Sequence, residues 1–129
     1  RLMQIHQDVT EVIRTYQPDT SAIEQVFMHF SAGSALKLGQ ARGVAMAAMA
    51  LAGLSVSEYS ARQVKQSVVG YGAADKAQVS HMISQVLGVK HKLQEDAADA
   101  LAIALCHYHS SQSLAKLGGA QKVVHGRLQ

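Results

Sequence analysis

The chain has 129 residues, 12 Lys and Arg against 9 Asp and Glu, and one cysteine. That length suits one hydrophobic core, and a lone cysteine excludes an internal disulfide and fits a reducing compartment. A net charge of +3 is too mild to announce nucleic acid by itself. No apolar run reaches the eighteen or so residues of a membrane span, so no membrane partner is expected and the expected location is the cytoplasm.

In chain order, Leu2, Ile5, Val9, Val12, Ile13 and Tyr16 recur at helical spacing and predict an amphipathic helix over 1–17. This is a helix pattern instead of a basic–apolar–small series, so no secretory leader is expected. Gln17-Pro18-Asp19 breaks it, and 20–26 reads as a short strand. Gly33-Ser34 then introduces a helix over 34–53 through Ala35, Leu38, Ala41, Val44, Ala45 and Ala48, whose small side chains point to close packing, with a second subunit as one candidate. A second strand is expected over 54–59. Helices follow over 60–69 and 74–87, separated by a Gly70-Tyr71-Gly72 turn, and a last helix over about 95–110. Strand, helix, strand is a βαβ unit, hence a parallel pair and an α/β class. Beyond Asp99 there is no acidic residue, while Lys116, Lys122 and Arg127 remain. The expected organisation is one domain over 1–110 and a basic, flexible tail over 111–129.

The chemistry concentrates at the start of the last helix. Asp96 and Asp99 are three residues apart, so they share a face at roughly 5–6 Å between Cβ atoms. The helix is expected to bury Ala97, Leu101, Ala104 and Leu105 while holding both carboxylates at its head. Two readings stand side by side. Acidic residues are favoured in any first helical turn by capping and the dipole; alternatively, paired carboxylates attract a hard divalent cation such as Mg²⁺. Glu24 at the end of the first strand is a third carboxylate, and burying it without a partner would be costly.

Other candidates are weaker. His107 and His109 point to different faces of the helix, and Cys106 with His109 is two ligands short of a structural zinc site. Gly70-Tyr71-Gly72 lacks the lysine and spacing of a phosphate loop. Cys106 has no supporting constellation for a nucleophile. From spacing alone Lys65 and Lys76 read as solvated helix lysines, and Phe27 as a core aromatic or as one free to stack on a base.

Four strings in order, Ala22-Ile23-Glu24-Gln25-Val26-Phe27-Met28, Ser34-Ala35-Leu36-Lys37-Leu38-Gly39-Gln40-Ala41-Arg42-Gly43, Ala61-Arg62-Gln63-Val64-Lys65-Gln66 and Asp96-Ala97-Ala98-Asp99-Ala100-Leu101-Ala102, together resemble the RuvC family of Holliday-junction resolvases. The resemblance implies a ribonuclease H-like fold with a mixed sheet flanked by helices, here missing the first strands. It implies a homodimer that makes paired symmetric nicks in four-way junction DNA, alongside the RuvA–RuvB branch-migration complex. It assigns Glu24, Asp96 and Asp99 to the metal-binding acidic site and Lys65 to the scissile phosphate. Lys76 is assigned to the DNA backbone, Phe27 to stacking at the junction centre and helix 34–53 to dimerisation. Two Mg²⁺ ions, with Mn²⁺ as a substitute, are the implied cofactors.

One departure is plain. The family's first-strand aspartate, in an Asp-Pro-Gly context, has no counterpart, since Pro18 is the only proline and Asp19 follows it. Two readings therefore stay open: a metal-dependent junction endonuclease whose fragment alone is inactive, and a non-catalytic junction-binding or dimerisation remnant.

Overall fold

The computed structural model describes the whole chain except 27–30, 118–122, 125–126 and 129. It divides into two compact units, Arg1–Ser57 and Glu58–Gln129.

The first unit opens with α1, Leu2–Tyr16. Ile5, Val9 and Ile13 lie one turn apart and are half-buried, while Val12 and Tyr16 stay exposed. Gln17 ends the helix in the left-handed region at φ 51°, with its N–H bonded to the Ile13 carbonyl, and Pro18 cannot continue it. Strand β1, Ser21–Glu24, is shorter than the expected 20–26. Ser21 sets its start: its backbone N–H and its hydroxyl both donate to the Ser55 carbonyl, at 3.1 and 2.7 Å. Helix α2, Ala32–Leu51, begins two residues before the expected start. The cap is Ser31, whose hydroxyl accepts from the Ser34 N–H, so Ser34 lies inside the helix it was expected to introduce. Ala52 and Gly53, the latter at φ 81°, turn the chain toward the next strand. Strand β2, Val56–Tyr59, pairs with β1 in a parallel ladder, as the βαβ pattern requires. Within the first unit α1 packs on α2.

The second unit carries three further helices. Helix α3, Ala61–Val68, and helix α4, Lys76–Leu87, each start with a capping box: Ser60 with Gln63, and Asp75 with Gln78. Gly88, at φ 68°, closes α4 in the conformation that only glycine adopts without strain. Helix α5 runs Glu95–Leu117, past the expected end at 110, so the proposed boundary there falls inside a helix. No breaker occurs before Gly118-Gly119, and Ser, Gln and Ala propagate a helix already nucleated. Two short strands, β3 (Val123–Val124) and β4 (Arg127–Leu128), pair antiparallel with Val123 opposite Leu128.

The core of this unit is Val64 and Val68 of α3, Ile83 of α4, and Ala102 and Cys106 of α5. Tyr59, Val79, Met82, Leu93, Leu101 and Leu105 pack around it. On α5 the buried positions are Ala98, Ala102 and Cys106, one turn apart. Leu101 and Leu105 are half-buried as expected, but Ala97 and Ala104 are exposed. An alanine-rich helix is apolar on every face, so its sequence does not say which stripe turns inward.

Candidate active site

The first turn of α5 is built by Gln94. Its side-chain oxygen accepts from the Ala97 N–H at 3.0 Å, and its amide nitrogen donates to the Asp96 carboxylate at 3.3 Å. One residue thus caps the helix and steadies a carboxylate. Glu95, Asp96 and Asp99 are all exposed on this turn. The positive end of the helix dipole partly offsets their charge.

Lys76 supplies the rest. As the first residue of α4, directly after the Asp75 cap, its backbone is fixed while its four-carbon stem is free to reach. Its ammonium donates to Glu95 Oε1 at 2.7 Å and lies 3.8 Å from Asp99 Oδ2. The lysine holds the Glu95 carboxyl below the usual carboxylate range, by hydrogen bond first and by charge second. Exposed ion pairs of this kind are weak and readily exchanged.

The second unit therefore places Lys76 beside Asp99, on the same helix start as Asp96. Lys65 is half-buried in the last turn of α3, where a cation also suits the helix dipole. Glu24 closes β1 in the first unit and is exposed, so the desolvation cost expected for it does not arise. Its backbone carbonyl accepts from Arg42 Nε at 3.0 Å. Phe27 lies outside the described residues. The sequence pattern singles out neither Glu95 nor Gln94. Glu95 was visible as a first-turn acid, but its lysine lies nineteen residues upstream; Gln94 is not a residue type that announces a cap.

Among the described residues no three His, Cys, Asp or Glu side chains are grouped to hold a metal ion. Asp96 and Asp99 nevertheless fit one chemically. They are hard oxygen donors on one helix face, and Asp99 already lies 3.8 Å from a cation, the Lys76 ammonium. Mg²⁺ commonly binds through one or two carboxylates, completing its shell with water and substrate phosphate.

Further along α5 the two histidines find other partners. His107 Nδ1 is 2.6 Å from the Tyr59 hydroxyl, and His109 Nδ1 is 2.9 Å from the Ser67 hydroxyl. Burial holds the Cys106 thiol above its usual range, opposite to what a nucleophile needs. Burial also lowers the His107 pKa from its ordinary 6.5. The unfolded chain then binds more protons than the folded one between that value and the lowered one, so stability is lost as the pH falls below about 6.5. The melting temperature should drop between about pH 7.5 and about pH 5.5, where histidine titrates. It should drop less in His107→Asn, which removes the titrating ring. An identical drop in both proteins would remove His107 from the account.

A βαβ unit whose second strand leads into helices, the last headed by a carboxylate pair, defines the class: an α/β protein of ribonuclease H-like fold. A family model described as "Crossover junction endodeoxyribonuclease RuvC" matches residues 1–107. A protein of that name from Francisella philomiragia is 60% identical over all 129 residues, which span 75% of it, and one from Francisella tularensis subsp. novicida is 57% identical over the same share. Among solved structures, that of Thermus thermophilus RuvC is similar at TM-score 0.77 and 36% identity, covering 91% of this chain and 69% of that one. T. thermophilus RuvC in complex with Holliday junction substrate is similar at TM-score 0.83 and 36% identity, covering 87% and 68%. The chain belongs to the RuvC family of crossover junction endodeoxyribonucleases.

Proposed function

We infer that the protein is a nuclease that resolves four-way DNA junctions by hydrolysing phosphodiesters with divalent metal. The observation that carries the reading is the exposed α5 head, where Gln94 steadies Asp96 and the Lys76 ammonium stands 3.8 Å from Asp99. Family membership over most of the chain favours the nuclease over a binding-only remnant.

Asp96 and Asp99 are the residues of the second unit that would hold the ions, with Mg²⁺ the natural occupant and Mn²⁺ a substitute; Glu24 is carried into the acidic set by the family resemblance. Paired ions of this kind activate water and neutralise charge at the attacked and leaving oxygens. The chain's own groups do the rest. Gln94 orients Asp96 through its amide. Lys65 and Lys76 offset charge on the phosphates, the first near the reacting group and the second along the backbone. Phe27 stacks on an unpaired base at the junction centre.

Paired symmetric cuts require two active sites related by a two-fold axis. Helix α2 supplies a face for that contact: Ala32, Ala35, Leu36, Gly39 and Gln40 line an open apolar groove, and Leu36 is 65% exposed. In sedimentation experiments Leu36→Glu should convert a dimer to monomer, because it places a charge in an apolar contact. An unchanged dimer would move the interface elsewhere. The protein's setting is the bacterial cytoplasm, with the RuvA–RuvB complex as partner. No helix among the described residues is long and apolar enough to cross a membrane.

The test is cleavage of a synthetic four-way junction by the full-length protein with Mg²⁺, against linear duplex of the same sequence. Symmetric nicks confined to the junction are expected; equal cutting of both substrates, or none, would overturn the reading.

A further inference from the structure

Glu95 has no part in the acidic set assigned above, yet it makes the shorter contact to Lys76, 2.7 Å against 3.8 Å for Asp99. Glu95 and Asp99 are four residues apart on α5, so they share a face. Lys76 thus stands across two carboxylates, one of which is also a metal-site residue. Both ends of the pair are about seven-tenths exposed, with Lys76 at 70% and Glu95 at 72%. Water and other anions have open access to the ammonium. Its backbone stays fixed by the Asp75–Gln78 capping box, so only the stem need turn.

We propose that Glu95 is a positioning residue that parks the Lys76 ammonium on the α5 head in the DNA-free protein and competes with DNA phosphate for it. This deepens the preceding reading and rests on its assignment of Lys76 to the DNA backbone. While parked, the lysine sits against Asp99 and supplies positive charge where a metal ion would bind. A phosphate that draws Lys76 away uncovers Asp99 at the moment the substrate arrives. Glu95 therefore sets a cost on DNA binding and couples it to the opening of the acidic pair. Phosphate and carboxylate compete on similar terms, since both accept charge-assisted hydrogen bonds from an ammonium.

The test is a double-mutant cycle on junction affinity, measured by fluorescence anisotropy with the full-length protein, EDTA and a synthetic four-way junction. Glu95→Gln keeps the shape and removes the competing charge. It should tighten binding about three-fold, in keeping with an exposed ion pair. In a Lys76→Ala background the same change should do nothing, because there is no ammonium left to release. Lys76→Ala alone should weaken binding and lower the slope of log affinity against log salt by about one. Equal tightening in both backgrounds would mean that Glu95 merely repels DNA, and the proposal fails while the phosphate role of Lys76 stands. No tightening by Glu95→Gln, with Lys76→Ala still weakening, has the same consequence. If Lys76→Ala leaves affinity and salt slope unchanged, the phosphate role falls and the proposal falls with it. Both substitutions lie on the surface, and circular dichroism checks that the fold is kept.

Discussion

Asp99→Asn in the full-length protein is expected to lower junction cleavage by about 10²–10³-fold or more, the scale on which one preorganised charge-stabilising group is lost from an active site. Junction affinity should stay within a few-fold of wild type. The change keeps the side-chain volume and removes only the charge. Asp99 is exposed at the head of α5 and contributes nothing to the buried stripe of Ala98, Ala102 and Cys106, so the fold should not suffer. It also gives up its part in holding Lys76, which would leave DNA binding equal or slightly tighter. Asp96→Asn and Glu24→Gln should act alike, for the same reason. Nicking assays with Mg²⁺ beside gel shifts without it separate the two effects. Cleavage within a few-fold of wild type for the Asp99 variant would remove it from the metal set, whatever its effect on affinity.

What could be read in the sequence follows from where the signal is local. The βαβ order was legible because Pro18 breaks α1 cleanly before β1 and Gly53 separates α2 from β2. The Asp96–Asp99 pair was legible because helical spacing alone puts the two on one face. Ser60-x-x-Gln63 and Asp75-x-x-Gln78 are equally local signals, and they set the starts of α3 and α4. The buried stripe of α5 was not legible. Its alanines are interchangeable until Val64 and Val68 of α3 and Ile83 of α4 pack against Ala102 and Cys106. The start of α2 was misplaced because Ser31 and Ser34 are both plausible caps, and the hydrogen bond from Ser34 N–H to Ser31 decides between them. Long-range partners were the least accessible: nothing near Lys76 in sequence announces Glu95, and nothing near Tyr59 announces His107. Each of those pairs depends on helix packing that only the whole second unit establishes.

The largest loss of stability is expected from Ile83→Ala, at about 3–4 kcal/mol. Ile83 is fully buried, and its neighbours in the core are Val64, Val68, Ala102 and Cys106. Two of those four, Ala102 and Cys106, are small side chains that cannot extend to fill the space. The cavity should persist, and its cost adds to the lost transfer energy of the removed methylenes. Total stabilities of small domains run to about 5–15 kcal/mol, so this one change consumes a large share. Ile83→Val, which removes one methyl group, should cost about 1 kcal/mol. Leu87→Ala in the same helix is a useful control, because Leu87 is 47% exposed and should lose much less. Urea denaturation read by circular dichroism ranks the three, and a loss below about 1 kcal/mol for Ile83→Ala would mean that the core collapses onto the gap. The consequence reaches the candidate site. Helix α4 carries Lys76 at its head and α5 carries Glu95 and Asp99, and Ile83 is the buried side chain by which α4 grips this core. A variant still folded in mild conditions should therefore lose part of the Lys76–Glu95 contact, and with it the difference that Glu95→Gln makes to junction affinity.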